Sequence, residues 1–397
     1  MENTVLLSGA RTPIGKLSGS LSGFSAATLG GIAITGALER AKIDPTQVDY
    51  VIMGQVLQAG TGQVTARQSA VAAGIPMSTP AITINKVCLS GLNAIYLAAQ
   101  MIEAGDAQVV VAGGMESMTN APYLIPKGRG GYRYGNSEIL DVIQHDGLFC
   151  ALEKELMGEG TERYAASASI DRDVQDQIAA DSHTRASAAI SAGTLSEEIV
   201  PVLIPQRKGD PISFEVDEGV RSGTDTDGLA KLRPAFAESG NITAGNASQI
   251  SDGGSAIVVV SRTFAESHGV DPLAHLISYG QVAGPDTSLL TQPSRAINQS
   301  LDTAEMSLSD IDLFEINEAF AAVSAASMKD LGLSNDIVNV NGGAIALGHP
   351  IGMSGNRLAL TLAMNFNEEE EESARQRFVV VAVREMHFLL RCEIICI

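Results

Sequence analysis

Apolar positions along this chain follow two rhythms. Val48 to Val56, Ala81 to Ile84, Val109 to Ala112 and Ala256 to Val260 are short runs rich in apolar and β-branched residues, and they read as buried strands. Thr28 to Ala41 and Leu92 to Ala104 are longer, carry their apolar residues at helical spacing and fall between those runs. Arg172 to Ala192 reads as a more polar helix. The alternation of strand and helix predicts an α/β fold, a parallel sheet covered by helices.

The pattern also repeats. Ile43-Asp44-Pro45-Thr46-Gln47-Val48-Asp49 is echoed by Met306-Ser307-Leu308-Ser309-Asp310-Ile311-Asp312, an offset of 263. Cys88-Leu89-Ser90-Gly91 aligns with Gly352-Met353-Ser354-Gly355 at an offset of 264, each followed by a helical run. Two matches at nearly one offset predict two halves of similar fold. The segment between them has a different texture, with the glycine-rich, basic run Lys127 to Gly135 and many Gly and Asp turns. We therefore divide the chain into a first half of residues 1–120 plus 250–268, an inserted domain of 121–249 and a second half of 269–397.

Composition narrows the class. The 397 residues are 45% hydrophobic and only 18% charged, with forty glycines and no tryptophan, which describes a compact globular protein with close backbone packing. A net charge of −20 argues against nucleic acid as a partner, because phosphate backbones require clustered Lys and Arg. Cys88, Cys150, Cys392 and Cys396 form neither a disulfide framework nor paired metal-binding units, so no metal is expected and a reducing cytoplasm fits best. Met1 to Ser8 lacks the basic start and apolar core of a signal peptide, and no stretch approaches 18 uninterrupted apolar residues. The expectation is a cytoplasmic protein with no membrane partner.

Four runs carry candidate chemistry. Cys88 lies between the strand-like Ala81 to Ile84 and the helix-like Leu92 to Ala99, and a helix N-terminus favours thiolate, the reactive form. The plainer reading is a buried small hydrophobe. Asn339 to Gly352 is a glycine-rich loop carrying His349, which is suited to general-base work or to a structural hydrogen bond. Glu315-Ile316-Asn317-Glu318-Ala319-Phe320 places Asn317 where a strand feeds a helix, as a ligand-site residue or as a simple cap. Thr243 to Gly254 is a run of small polar residues that would also suit a surface turn.

Taken together with Ser8-Gly9-Ala10-Arg11-Thr12-Pro13 and Gly113-Gly114-Met115-Glu116-Ser117-Met118, the runs Asn317-Glu318-Ala319-Phe320 and Gly348-His349-Pro350 resemble the thiolase family, most closely its acetyl-CoA acetyltransferase branch. The resemblance spans residues 1 to about 364. It implies a duplicated, layered αβαβα core with an inserted loop domain, usually in a homo-oligomer, dimer or tetramer. It implies catalysis by Cys88 as nucleophile, His349 as its base and Asn317 in an oxyanion hole. The implied partners are acetyl-CoA, acetoacetyl-CoA and CoA, with the CoA thioester as substrate and no resident cofactor. Met157, Phe236, Ser248, Ala319 and Phe320 would lie around the pantetheine, and Arg221 at the nucleotide end, with Arg207, Lys208, Lys231 and Arg233 flanking this region. Leu156 stands where the acetoacetyl-specific branch has His before Met-Gly, which keeps a 3-ketoacyl-CoA thiolase of longer chains as an alternative. A condensing enzyme that uses an acyl carrier protein would pair its cysteine with two histidines, and Asn317 argues against it.

The tail departs from the family. Thiolases end with a Cys-Gly-Gly-Gly-Gly motif whose cysteine is the second base, and no such motif follows Met364. The chain instead runs through five glutamates, Glu368 to Glu372, to Phe378-Val379-Val380-Val381-Ala382-Val383. Back-translated and read from the third base of each codon, this tail can encode a run of glycines and alanines followed by Cys-Gly-Gly-Gly-Gly. The inference is a frameshift by one lost base near Met364, through mutation or sequencing error. A chain carrying this tail would lack the second base, with Cys392 and Cys396 as poor substitutes, and would be impaired in carbon–carbon chemistry or survive only as a CoA binder. Its closing strands are expected to suffer.

Overall fold

The computed structural model describes residues 3–365, 377–383 and 386–392, of which 377, 378, 387, 391 and 392 by backbone alone. The first half contains β1 (Thr4–Arg11), α1 (Ala26–Ala41), β2 (Tyr50–Gly54), β3 (Ala81–Ile84), α2 (Ser90–Ala104) and β4 (Val109–Ser117). The intervening segment carries α3 (Met157–Ser167) and α4 (Arg172–Ala192), and the chain returns as β5 (Ser251–Ser261). The second half contains β6 (Ala274–Gln281), α5 (Gln292–Ala304), β7 (Leu313–Ile316), α6 (Ala321–Leu331), α7 (Ser354–Met364), β8 (Arg377–Val383) and β9 (Met386–Cys392).

Two half-sheets follow, ordered β3-β2-β4-β5-β1 and β6-β9-β8-β7. They join where β1 and β6 pair through Val5–His275 and Leu6–Ala274 alone. The sheets are mixed rather than parallel as expected. β2 runs parallel to β3 and β4, and β7 to β8, but β5 enters antiparallel between β1 and β4, and β9 antiparallel between β6 and β8.

Strand alternation sorts side chains into layers. Leu6, Val110, Ala112, Ile257 and Val259 face a central layer formed by α2 and α7, and from the other side Val379, Val381, Val383, Phe388 and Leu390 face the same layer. Their neighbours Val5, Leu7, Val109, Val111 and Val258 turn outward onto α1. In the second half Phe314, Val380, Ala382 and Leu389 pack against α5 and α6. The result is the αβαβα stack. The central place of α2 explains why Val87–Ala104 is apolar enough to cross a membrane by composition while sitting between two sheets.

The closing strands do not suffer as expected. β8 pairs with β9 along its length and with β7 from Val379 to Ala382, and Val379 to Val383, Met386 and Phe388 to Leu390 are fully buried. A β-branched run apolar on both faces fits a strand that is covered on both sides, whatever frame encodes it. The five glutamates and Cys396 lie outside the described residues, as does the side chain of Cys392.

Candidate active site

Cys88, His349 and Asn317 arrive from three different elements. Cys88 precedes α2, His349 sits in the loop before α7, and Asn317 follows β7, where its N–H donates to the Ala382 carbonyl of β8 at 3.0 Å. All three are buried. Cys88 Sγ lies 3.1 Å from His349 Nε2, and Asn317 Nδ2 lies 3.5 Å from the same nitrogen. Asn317 Oδ1 is buried without a protein partner.

The tautomer of His349 follows from its other ring nitrogen. Ser354 Oγ donates to the Pro350 carbonyl at 2.9 Å, so toward His349 Nδ1, 2.6 Å away, it can only accept. Nδ1 therefore carries the proton, and Nε2 turns a bare lone pair to the Cys88 thiol. Burial, and then the charge of Arg357, push His349 down to about 3, so the ring is neutral near pH 7. A neutral imidazole facing a thiol can accept its proton.

Backbone contacts hold the histidine loop. The His349 N–H donates to the Gln249 carbonyl at 3.1 Å and lies 3.2 Å from Ser251 Oγ. Glu318 fixes the Asn317 turn to the glycine-rich loop: it accepts from Ser182 Oγ at 2.7 Å, Asn339 Nδ2 at 2.9 Å and the Ile345 N–H at 3.1 Å. Gly343 is required above it, because a Cβ there would strike the Glu318 carboxylate. Asn339 also pairs with both backbone groups of Ile316 at 2.8 Å, securing the end of β7.

A cavity of about 430 Å³ opens beside His349. Met157, Phe236, Ser248, Ala319 and Phe320 all line it, as does Leu156. The Phe236 and Phe320 rings meet edge to face with centroids 5.9 Å apart, and Ser248 holds the Ala319 carbonyl through both its N–H and its hydroxyl. The Thr243 to Ile250 stretch is thus a cavity wall rather than a plain surface turn. Arg221 is not brought into this lining. It is exposed, and its backbone N–H donates to Nδ1 of the buried His183 at 3.2 Å. Arg207, Lys208, Lys231 and Arg233 are exposed as well.

Models of the thiolase N-terminal and C-terminal domains match residues 4–263 and 270–380. The chain belongs to the thiolase family. Among thiolases it is 54% identical to a probable acetyl-CoA acetyltransferase of Mycobacterium tuberculosis over 364 residues, covering 92% of this chain and 93% of the relative. It is 49% identical to the acetyl-CoA acetyltransferase of Cupriavidus necator over 363 residues, 91% of this chain and 92% of that one. The crystal structure of the Bacillus anthracis acetyl-CoA acetyltransferase superposes with a TM-score of 0.93 at 36% identity, over 100% of this chain and 99% of the other.

Sequence reading missed Ser354, although the repeat held its signal. Ser354 is the counterpart of Ser90, whose hydroxyl donates to the Val87 carbonyl at 2.7 Å much as Ser354 donates to Pro350. Gln249 and Ser251, which steady the His349 backbone, stood in the small polar run Thr243 to Gly254 without a role of their own.

Proposed function

We propose that this thiolase is an acetyl-CoA C-acetyltransferase, joining two acetyl-CoA into acetoacetyl-CoA and CoA and running the reverse thiolysis through an acetyl-Cys88 intermediate. The observation that carries the chemistry is the bare Nε2 of a neutral histidine 3.1 Å from a buried thiol beside a thioester-sized cavity. The high identity to acetyl-CoA acetyltransferases supports the substrate.

In the first half-reaction Cys88 Sγ attacks the thioester carbonyl while its proton passes to His349 Nε2. The carbon–sulfur bond to CoA breaks, and the imidazolium returns the proton to the leaving thiolate. Ser354 keeps accepting from Nδ1–H throughout, so the ring does not turn. In the second half-reaction Asn317, with a water on its side-chain amide, polarises the carbonyl of the second acetyl-CoA, and His349 joins it only as the imidazolium, because the neutral ring leaves Nε2 without a proton to donate. Loss of its α-proton gives the enolate that attacks the acetyl-Cys88 carbonyl and breaks its carbon–sulfur bond, freeing the Cys88 thiolate, which takes up the abstracted proton to return to thiol. That proton requires a second base, for which the family uses the cysteine missing from this tail. Val383 and Met386, at the facing ends of β8 and β9, join the apolar cluster that includes Cys88 and supply no such group.

The same proposal includes CoA and acetoacetyl-CoA as ligands, a homo-oligomeric dimer or tetramer, and a cytoplasmic location. It needs no resident cofactor, because the covalent chemistry rests on side chains and the substrate's own thioester. Mass spectrometry after acetyl-CoA treatment, beside an acetoacetyl-CoA thiolysis assay, tests both halves. Acetylation at Cys88 with slow thiolysis is expected; a chain that is never acetylated would overturn the reading. Faster thiolysis of longer 3-ketoacyl-CoA would move the assignment to the longer-chain branch that Leu156 leaves open.

A further inference from the structure

One buried carboxylate touches the loops behind both catalytic groups. Glu116, near the end of β4, is wholly buried. Its Oε2 accepts from the Val56 N–H at 3.0 Å and the Gly352 N–H at 2.9 Å, and its Oε1 accepts from the Leu57 N–H at 3.1 Å. Gly352 lies three residues after His349, in the loop that leads into α7. A side chain at Gly352 would put its Cβ 2.8 Å from Glu116 Oε2, so only glycine lets this loop come so close.

Val56 leads to the nucleophile. Asn85 Nδ2 donates to the Val56 carbonyl at 3.3 Å, and Asn85 Oδ1 accepts from the Val87 N–H at 3.0 Å. Val87 stands at φ 52°, a strained conformation for a β-branched residue, and the next residue is Cys88. The strain persists because Asn85 grips the Val87 N–H while Ser90 grips its carbonyl. Two short paths therefore leave one carboxylate, one ending at Cys88 and the other at His349.

We propose that Glu116 is a positioning residue that fixes the separation of Cys88 and His349 by holding the loop behind each on a single carboxylate. This rests on the reading of Cys88 and His349 as nucleophile and base. The chemistry explains the residue type: three backbone donors converge on two oxygens, and only a carboxylate accepts on both. Glutamine would turn an amide N–H toward at least one of those donors. Burial pushes the Glu116 carboxyl up to about 7, against the pull of its three N–H donors, so the group is expensive to keep where a neutral side chain would be cheaper.

The test uses the full chain and reads alkylation of Cys88 by iodoacetamide against pH, followed at the Cys88 peptide by mass spectrometry. Glu116→Gln should fold, shown by an unchanged circular dichroism spectrum, yet react at Cys88 about tenfold or more slowly across the pH range, because His349 no longer sits where it can take the thiol's proton. A Glu116→Gln chain that folds with the wild-type profile would overturn the proposal. Should that variant fail to fold, Asn85→Ala decides, since it severs only the nucleophile path, at an exposed side chain whose loss leaves the core intact. A slowed reaction at Cys88 supports the proposal and an unchanged one overturns it. A wild-type Cys88 that reacts no faster at pH 7 than an ordinary free thiol would overturn the nucleophile reading together with this one, whereas unslowed variants beside a fast wild type overturn this one alone.

Discussion

Gly91 and Gly355 face each other across the centre of the molecule in a reciprocal contact. A Cβ on Gly91 would lie 2.8 Å from the Asn356 nitrogen and 3.0 Å from the Gly352 oxygen; a Cβ on Gly355 would lie 2.7 Å from the Leu92 nitrogen and 3.3 Å from the Cys88 oxygen. Each glycine meets the repeat counterparts of the residues met by the other, at the offset of 264 seen in the sequence. The first turns of α2 and α7 are thus related by a local twofold, and the closeness of their backbones brings Cys88 and His349 within reach. Either Gly91→Ala or Gly355→Ala should cost about 1–3 kcal/mol of stability by overpacking. Cys88 acetylation should fall further than stability alone explains. Urea unfolding beside acetylation rates checks both, and a tolerated alanine with full acetylation would contradict the contact.

Ser354 should matter through the histidine it orients. Ser354→Ala leaves the Nδ1 proton without its acceptor in a buried site, so the ring is free to turn or exchange tautomers. The expected result is about a 10- to 100-fold fall in the rate of Cys88 acetylation, with little change in KM for acetyl-CoA because the cavity wall is untouched. Single-turnover acetylation followed by mass spectrometry measures it. A larger change in KM than in the rate would place Ser354 in binding instead.

The duplicated core was legible because its strands are apolar on both faces and its repeat keeps glycine where backbones meet. Arg172–Ala192 appears as a helix over the range its sequence predicts, since a long polar helix is set by local pattern. Strand direction was not legible: β5 and β9 enter antiparallel through pairings distant in sequence, which periodicity does not encode. Cys88, His349 and Asn317 stood in distinctive runs. Glu116 also stood in a motif, yet its purpose lies in three backbone N–H groups from loops far away in the chain, and main-chain donors leave no mark on sequence.

His183 makes stability pH-dependent in a defined direction. Burial, and then the nearby charge of Arg221, lower it from the ordinary 6.5 to about 4 in the folded chain. Between those values the unfolded chain binds a proton that the folded chain refuses, so stability is full above about 6.5 and declines as pH falls toward 4. The loss should reach roughly 2–3 kcal/mol by pH 4. His183→Asn keeps an acceptor for the Arg221 N–H but does not titrate, so it should flatten this part of the decline. Urea midpoints for both chains at pH 7 and 4.5 give the comparison, and parallel declines would remove His183 from the account.

The tail yields the most consequential prediction. β8 and β9 complete the second sheet with residues that are apolar on both faces, and among the described residues after Met364 none brings a second base to the Cys88 cluster. Folding and turnover should therefore separate. The chain as it stands should be acetylated at Cys88 but should carry out thiolysis about 10²- to 10⁴-fold below a chain whose reading frame is restored near Met364, the range that a positioned general base contributes. Restoration returns both the cysteine and the glycine backbone beside it, and one oxyanion donor from that run is alone worth about a hundredfold. DNA sequencing across the last forty codons comes first, since a tract that cannot encode Cys-Gly-Gly-Gly-Gly in the alternate frame would refute the frameshift outright. If the tract is present, parallel thiolysis assays on the two chains follow. Equal rates would mean that some group in the present tail abstracts the α-proton, and that the apolar ends of β8 and β9 are not the whole of what faces Cys88.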